Sequence, residues 1–212
     1  MTIVMAVPIV PHFSDALVVL DFFGIGVFAM SGALVAAGRK LDFVTFVFFA
    51  AVTGVGGGTL RDLLIGAPVF WVHTNETLLI CIGAALAVWL VRSRRFNSRA
   101  LDWFDAAGLA AYATYGSAKA LGYGVAPVPA FAMGVLTACF GGIVRDVLAG
   151  VPSILMRREL YVTAAAVAAG LFVGLTIAGA SRWTAAGVAV VAGFTLRGLA
   201  IARGWSLPPY RD

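Results

Sequence analysis

Long apolar stretches follow one another along nearly the whole chain, with short polar segments between them. Seven stretches have about the length, roughly 20 residues, that an α-helix needs to cross a bilayer. They cover about residues 15–37, 43–65, 77–93, 102–121, 126–149, 158–178 and 184–203. Nothing between them is long enough to form a second domain. The pattern therefore predicts an all-α integral membrane protein with one membrane domain over residues 1–212.

Composition agrees with a membrane location. The chain is 61% hydrophobic and 12% charged, whereas about a quarter of the residues are charged in an ordinary soluble domain. The first residues, MTIVMAVPIVPHFSD, lack the basic start of a cleavable signal peptide. Cys81 and Cys139 lie inside predicted spans, so we expect them to be small core residues rather than a disulfide framework.

One segment of the chain occurs twice. Residues 54–68 read GVGGGTLRDLLIGAP, and residues 138–152, which lie 84 positions later, read ACFGGIVRDVLAGVP. The copies extend over about 15–93 and 102–178, and each contains three predicted spans. Because three is odd, the second copy enters the membrane from the opposite face, which makes an inverted-topology repeat. The seventh span, about 184–203, has no counterpart and is expected to pack on the outside or to close the bundle.

Basic residues predict the orientation of the spans. Ten of them follow spans 1, 3 and 7 or precede span 6, all on one side of the membrane: Arg39, Lys40, Arg92, Arg94, Arg95, Arg99, Arg157, Arg158, Arg203 and Arg211. The positive-inside rule then places the N-terminus outside and the C-terminus in the cytoplasm, in the plasma (inner) membrane. This distribution explains the net charge of +5 without nucleic acid as a partner.

Consecutive glycines weaken the second and fifth spans. Gly56, Gly57 and Gly58 follow one another in span 2, and Gly141 and Gly142 hold the equivalent place in span 5. Each glycine inside a helix costs about 1 kcal/mol relative to alanine. We therefore expect both helices to kink or unwind here and to line a polar path, where freed backbone groups can face water. The alternative is that these glycines only allow tight helix packing.

Four charged residues are expected inside the membrane, where ionised side chains are costly unless they are paired or wetted. Asp21 and Arg61 belong toward the outer face, and Asp105 and Arg145 toward the inner face. We predict two symmetry-related ion pairs, Asp21 with Arg61 and Asp105 with Arg145, one near each mouth of a path. A purely structural clamp between helices is the alternative. Whether the neighbouring Asp62 and Asp146 cap a helix or pair locally stays open.

Lys119 breaks the symmetry of the repeat, because its counterpart is Val35. It lies near the outer end of span 4, where it either extends harmlessly to the interface or acts as a voltage-dependent plug in the outer mouth. Hydroxyl side chains are the other candidates for a path. Those in spans 1, 2, 4 and 5 include Ser31, Thr53, Tyr115 and Thr137.

Catalytic chemistry finds little support in the sequence. His12 and His73 lie in loops, and no group of His, Cys and carboxylate residues has the spacing of a metal site. The glycine-rich stretch follows an apolar helix rather than a strand, so nucleotide binding is not expected. We predict neither an enzyme nor a bound cofactor.

Two inverted triplets with GGGTLRD in span 2 and GGIVRD in span 5 resemble the trimeric intracellular cation (TRIC) channels, in particular their prokaryotic branch. The resemblance covers about residues 15–203. It implies a homotrimer in which each protomer has its own pore, lined by helices 1, 2, 4 and 5, and conducts monovalent cations, chiefly potassium. It also assigns the helix kinks to Gly56–Gly58 and Gly141–Gly142, and the gating lysine to Lys119. Potassium or sodium ions would pass transiently, with no resident metal.

The leading hypothesis is a potassium channel of this kind in the lipid bilayer. Proteins similar to this bacterial branch have also been linked to uptake of small amino acids, so a secondary transporter of glycine is the main alternative. A membrane scaffold without any path is the third.

Overall fold

A computed structural model describes residues 15–91, 100–156 and 159–208 of the chain. Within these ranges lie seven α-helices: α1 (Asp15–Gly38), α2 (Phe43–Leu64), α3 (Glu76–Val91), α4 (Ala100–Gly122), α5 (Pro127–Leu148), α6 (Tyr161–Ile177) and α7 (Arg182–Arg203). Short 3-10 turns follow α2 at Phe70–Val72 and α5 at Ile154–Met156. The predicted fold class is therefore confirmed, with helix ends within three residues of the expected spans.

Length and apolar composition alone mark four helices as able to span a membrane, among the residues that the structure describes: Leu17–Gly38 within α1, and all of α2, α5 and α7. The helices α3 and α6 are apolar but shorter, and α4 carries Asp102, Asp105 and Lys119. Large apolar side chains on the outside, such as Val44 and Val128, are more than three-quarters exposed. Such a surface suits lipid rather than water.

The two repeats pack in the same way. In the first repeat α1 packs on α2, and α3 packs on both; in the second, α4 packs on α5, and α6 packs on both. The repeats meet where α1 lies against α4 and α2 against α5. The seventh helix packs mainly on α4 and α6, so it lies against the outside of the second repeat, the first of the two expected positions. Helices α1, α2, α4 and α5 therefore form the centre of the protein.

Glycines allow the backbones of α2 and α5 to touch. A Cβ atom on Gly57 would lie closer than 3.0 Å to the carbonyl oxygen of Thr137, and one on Gly141 would lie equally close to the carbonyl oxygen of Thr53. Real Cβ atoms essentially never approach that closely. The crossing of α2 and α5 is thus a symmetric contact in which each helix places a glycine against the other helix's threonine.

The expected unwinding at these glycines is wrong. Both α2 and α5 are continuous α-helices across the glycine stretches. Close packing of α2 against α5 compensates for the low helix propensity of glycine, so the helices stay intact. A continuous helix does not expose the backbone carbonyls that a broken helix would offer to a cation. A bend of the helix axes at this point stays a prediction.

Aromatic rings fill the symmetric contact between α1 and α4. Beside Gly24 lies the ring of Tyr112, and beside Gly108 lies the ring of Phe28, its repeat counterpart. The Tyr112 hydroxyl also donates a hydrogen bond of 3.0 Å to the carbonyl oxygen of Gly54, which ties α4 to α2.

Replacing Tyr112 by phenylalanine is expected to lower stability by about 1 kcal/mol, the usual contribution of a buried hydrogen bond. The readout is thermal unfolding in detergent. The matched control is Tyr123→Phe, which removes a hydroxyl from the turn after α4. Equal melting temperatures for Tyr112→Phe and the parent would show that this bond does not hold the repeats together.

Candidate functional site

Two groups of buried charged residues lie at the C-terminal ends of α2 and α5, each centred on an aspartate of the repeated Arg-Asp motif. We define the Asp62 cluster as Asp21, Arg61, Asp62, Phe70, Tyr115 and Lys119. The Asp146 cluster comprises Ser31, Asp105, Arg145, Asp146, Ile154 and Tyr161. Arg61, Asp62, Asp105, Arg145 and Asp146 are all at most 4% exposed. Charged residues at such burial are expensive in any protein, and in a membrane they are functional candidates.

The motif has the same local structure in both copies. The arginine folds back so that its Nε donates to the Oδ1 of the next aspartate at 2.9 Å, in Arg61–Asp62 and again in Arg145–Asp146. The other carboxylate oxygen accepts from a backbone N–H of the following 3-10 turn, that of Phe70 at 3.1 Å and that of Ile154 at 2.8 Å. Each aspartate therefore pairs locally and also anchors the turn that follows its helix.

In the Asp62 cluster, Lys119 completes the charge balance. Its Nζ lies 2.9 Å from both oxygens of Asp62 and 5.6 Å from the centre of the Phe70 ring. Lys119 is only 5% exposed, so it does not extend to the interface. The guanidinium of Arg61 lies over the Tyr115 ring at 5.0 Å. The Tyr115 hydroxyl in turn forms a hydrogen bond with the side chain of Asp21.

The expected direct ion pair between Asp21 and Arg61 is absent, although the two charges interact electrostatically. Arg61 pairs with Asp62 instead, with 2.8 Å between Nη2 and Oδ1, while Asp21 turns to Tyr115. The sequence predicted Asp21–Arg61 and Asp105–Arg145 as equivalent ion pairs in the two repeats. It could not show that Lys119 would bind Asp62 and that Tyr115 would bind Asp21 of the first repeat.

In the Asp146 cluster, Arg145 connects three helices. Its Nη1 lies 2.6 Å from Oδ1 of Asp105 on α4 and also donates to the hydroxyl of Ser31 on α1. Its Nη2 lies 2.8 Å from Oδ1 of Asp146. The predicted contact between Asp105 and Arg145 is therefore present.

The clusters lie toward opposite ends of the bundle. Asp105 is near the start of α4 and Lys119 near its end; fourteen residues of α-helix separate them by about 21 Å. The crossing at Gly57 and Gly141 lies one helical turn before each motif arginine, and therefore between the clusters. Asp62 and Asp146 thus mark two buried polar zones, and the glycine contact lies between them.

Hydroxyls that were expected along the path fall at these same places. Thr53 and Thr137 are buried next to the α2–α5 crossing, with their carbonyl oxygens at the crossing and their hydroxyls facing Gly32 of α1 and Gly116 of α4. Ser31 contacts Arg145, and Tyr115 contacts Arg61. The Thr137 hydroxyl donates to the Met133 carbonyl at 2.6 Å. The Thr53 hydroxyl has no hydrogen-bond partner among the described residues. It faces Gly32 of α1.

Three contacts of the second repeat were missed by sequence reasoning. Tyr161 at the start of α6 is fully buried beside the Asp146 cluster, where its hydroxyl and Oδ1 of Asp105 both lie within 3.5 Å of the place that a Gly142 Cβ would take. Arg197 of α7 lies over the Tyr161 ring at 5.3 Å and pairs with Glu159 at 2.6 Å. No motif marks these residues; only the intramembrane arginine in span 7 was a possible signal.

The described residues contain no group of three His, Cys, Asp or Glu side chains that could hold a metal ion. Cys81 and Cys139 are buried free thiols. Seven of the ten basic residues that carry the orientation argument, and also His12, lie outside the described residues: Arg92, Arg94, Arg95, Arg99, Arg157, Arg158 and Arg211.

Comparison with known proteins places the chain. A family model described as glycine transporter matches it twice, over residues 18–93 and 102–177, nearly the limits of the two repeats. A UPF0126 membrane protein of Vibrio cholerae is 43% identical over 158 residues, which is 71% of this chain and 64% of that protein. The UPF0126 inner membrane protein YadS of Escherichia coli is 40% identical over 148 residues, 68% of this chain and 72% of that protein.

Solved structures show the same architecture. The TRIC channel orthologue from Rhodobacter sphaeroides superposes with a TM-score of 0.87 at 44% identity, over 91% of this chain and 100% of that one. A second prokaryotic TRIC channel gives a TM-score of 0.83 at 27% identity, over 91% of this chain and 98% of that one.

The fold and its paired clusters define an α-helical membrane protein with the TRIC architecture. By the match of both its repeats, the chain belongs to the glycine transporter family, and the suspected resemblance to TRIC channels is confirmed. These relatives are membrane proteins and channels, not enzymes.

Proposed function

We propose that this chain is a channel that conducts monovalent cations, chiefly potassium, passively across the plasma (inner) membrane. Similar solved structures are TRIC cation channels. The observation that carries the proposal most directly is the pair of buried clusters at opposite ends of α4, joined through the α2–α5 crossing. Each cluster places carboxylates where a cation would enter or leave.

The proposed path runs between α1, α2, α4 and α5 inside one protomer. A cation would pass from the carboxylates of one cluster, past the hydroxyls of Thr53 and Thr137 that face α1 and α4 beside the crossing, and on to the other cluster. The backbone contact at Gly57 and Gly141 would have to loosen during conduction, either by bending at Gly56–Gly58 and Gly142 or by a small separation of α2 from α5. The bend at these glycines is the part of the expected kink that stays a prediction.

Lys119 is the proposed gate. Its ammonium group occupies the carboxylate edge of Asp62 that an entering cation would otherwise use, at 2.9 Å from both oxygens. A charge that moves through part of the membrane responds to voltage by the corresponding fraction of the roughly 2.3 kcal/mol that one charge gains on crossing a full 100 mV. A voltage that moves the Lys119 ammonium group away from Asp62 would open the outer end of the path.

Replacing Lys119 by methionine, which keeps the length of the chain and removes the charge, is therefore expected to raise open probability and flatten its dependence on voltage. The measurement is current in planar bilayers across a range of voltages. Lys40→Met, at an exposed position in the turn after α1, is the control for loss of a basic residue. Gating identical to the parent in Lys119→Met would limit the lysine to a structural role.

A secondary transporter of glycine is the second candidate, and one feature of the Asp62 cluster favours it. Arg61 Nη1 and Asp21 Oδ1 are buried and lack hydrogen-bond partners among the described residues. A zwitterion carries a carboxylate for such a donor and an ammonium for such an acceptor. The family description names the same solute.

Proteoliposomes distinguish the two candidates in one preparation. In liposomes that contain a channel, a potassium gradient drives uptake of radioactive rubidium at a rate that added glycine does not change. Such liposomes take up no labelled glycine. A transporter accumulates labelled glycine with saturation and shows little rubidium flux. Empty liposomes are the control for leakage, and glycine accumulation without rubidium flux would overturn the channel proposal.

Assembly and orientation follow the same proposal. The solved relative from Rhodobacter sphaeroides is described as trimeric, so we expect a homotrimer with one path in each protomer. The N-terminus would lie outside and the C-terminus in the cytoplasm, which places the Asp62 cluster toward the outer face and the Asp146 cluster toward the inner one.

A further inference from the structure

Among the residues that the structure describes, the two clusters differ by one positive charge. The Asp62 cluster has two carboxylates, Asp21 and Asp62, and two bases, Arg61 and Lys119. The Asp146 cluster has the carboxylates of Asp105 and Asp146 but only Arg145 as a base among the described residues. Uncompensated negative charge at such burial is unstable, because the desolvation cost of each carboxylate amounts to several kcal/mol.

Lys119 shows where the missing charge belongs. Its ammonium group lies on both oxygens of Asp62 and interacts electrostatically with Asp21. The residue 84 positions earlier is Val35, on α1, which cannot supply a charge. The carboxylate of Asp146 is held by Arg145 and by the N–H of Ile154 in the same way as its counterpart, but no lysine of the described ranges contacts it.

A second observation points to a ligand at this place. Asp105 is fully buried, and its Oδ2 has no hydrogen-bond partner among the described residues. The buried hydroxyl of Tyr161 lies beside Gly142 together with Oδ1 of Asp105 and interacts with the Asp105 side chain, so its oxygen adds a further polar atom at this place. Unpaired oxygens at this depth cost free energy, and a cation would remove that cost.

We propose that a monovalent cation, sodium or potassium, binds between the carboxylates of Asp105 and Asp146, at the place that the pseudo-two-fold axis relates to the ammonium of Lys119. The lysine is then a tethered equivalent of this ion in the opposite cluster. Two carboxylates next to an arginine leave one net negative charge, which matches a monovalent ion better than a divalent one. The inference rests on the proposed cation conduction and adds a defined binding site to it.

The test introduces into the Asp146 cluster the lysine that the Asp62 cluster already has. Val35→Lys places a lysine at the position equivalent to Lys119, and Val35→Met is the control of similar length without charge. Thermal unfolding of the purified protein is measured with increasing potassium chloride against choline chloride at equal ionic strength. A ligand that binds only the folded state raises the melting temperature saturably.

We expect the parent and Val35→Met to show a saturable rise in melting temperature with potassium that choline does not give, and Val35→Lys to lose that rise. The site is wrong if the parent shows no potassium-specific rise or if Val35→Lys retains all of it. Should Val35→Lys fail to fold, Asp146→Asn takes its place, and it must also lose the rise. Rubidium flux is measured separately, so a conducting parent without the potassium effect overturns the site and leaves the channel intact.

Discussion

Arg145→Met is expected to destabilise the protein by about 3–5 kcal/mol, as is usual when one partner of a buried ion pair is removed. The substitution leaves the carboxylates of Asp105 and Asp146 buried without a base among the described residues, and it removes the link to Ser31. The measurement is unfolding in detergent, followed by helical circular dichroism. Arg182→Met, on the exposed start of α7, is the control and should change little.

The equivalent Arg61→Met should cost less. Lys119 remains on Asp62 in that variant, and the N–H of Phe70 still donates to the same carboxylate. The order of the two effects is therefore part of the prediction. A loss for Arg61→Met equal to or larger than that for Arg145→Met would contradict the partner assignment in both clusters.

Gly57→Ala is the second large expected effect, with a cost of about 1–3 kcal/mol or more, because overpacking forces backbones apart. The added Cβ would lie closer than 3.0 Å to the Thr137 carbonyl oxygen, a rigid backbone atom in the opposite repeat. Gly141→Ala should behave in the same way against Thr53. The readouts are melting temperature in detergent and rubidium flux.

Gly56→Ala is the matched control for this prediction. Its Cβ would lie 3.8 Å from the Gly141 Cα, an ordinary contact, and alanine is the better helix former by about 1 kcal/mol. We expect Gly56→Ala to be as stable as the parent or more so. If the glycines serve only to bend the helix, Gly56→Ala and Gly57→Ala should impair flux to a similar degree and neither should show a specific loss of stability.

The repeat in the sequence carried most of the fold. The apolar stretches predicted the number of helices, and the offset of 84 residues predicted the pairing of the repeats. For α7 the repeat left two positions open, on the outside or closing the bundle. It also led to the contact between Asp105 and Arg145, because both residues belong to the same end of the bundle. Repeats predict well when both copies obey the same constraints.

The wrong predictions concern places where the two repeats differ in sequence, or where a third residue competes for the predicted partner. Symmetry predicted Asp21 with Arg61, but a neighbouring aspartate, Lys119 and Tyr115 are all within reach, and only coordinates decide among them. The low helix propensity of glycine predicted unwinding at Gly57, but helix propensity describes an isolated helix without its packing partners. The backbone contact across α2 and α5 depends on a partner that the local sequence does not contain.

The central claim is that cations pass through one protomer by way of the two charge clusters and the crossing between them. Recording single-channel current across a planar bilayer under a potassium chloride gradient tests it most directly. We predict discrete current steps that reverse near the potassium equilibrium potential, with a step size altered by Thr53→Val. Absence of steps at every voltage, in protein that still accumulates labelled glycine, would contradict it.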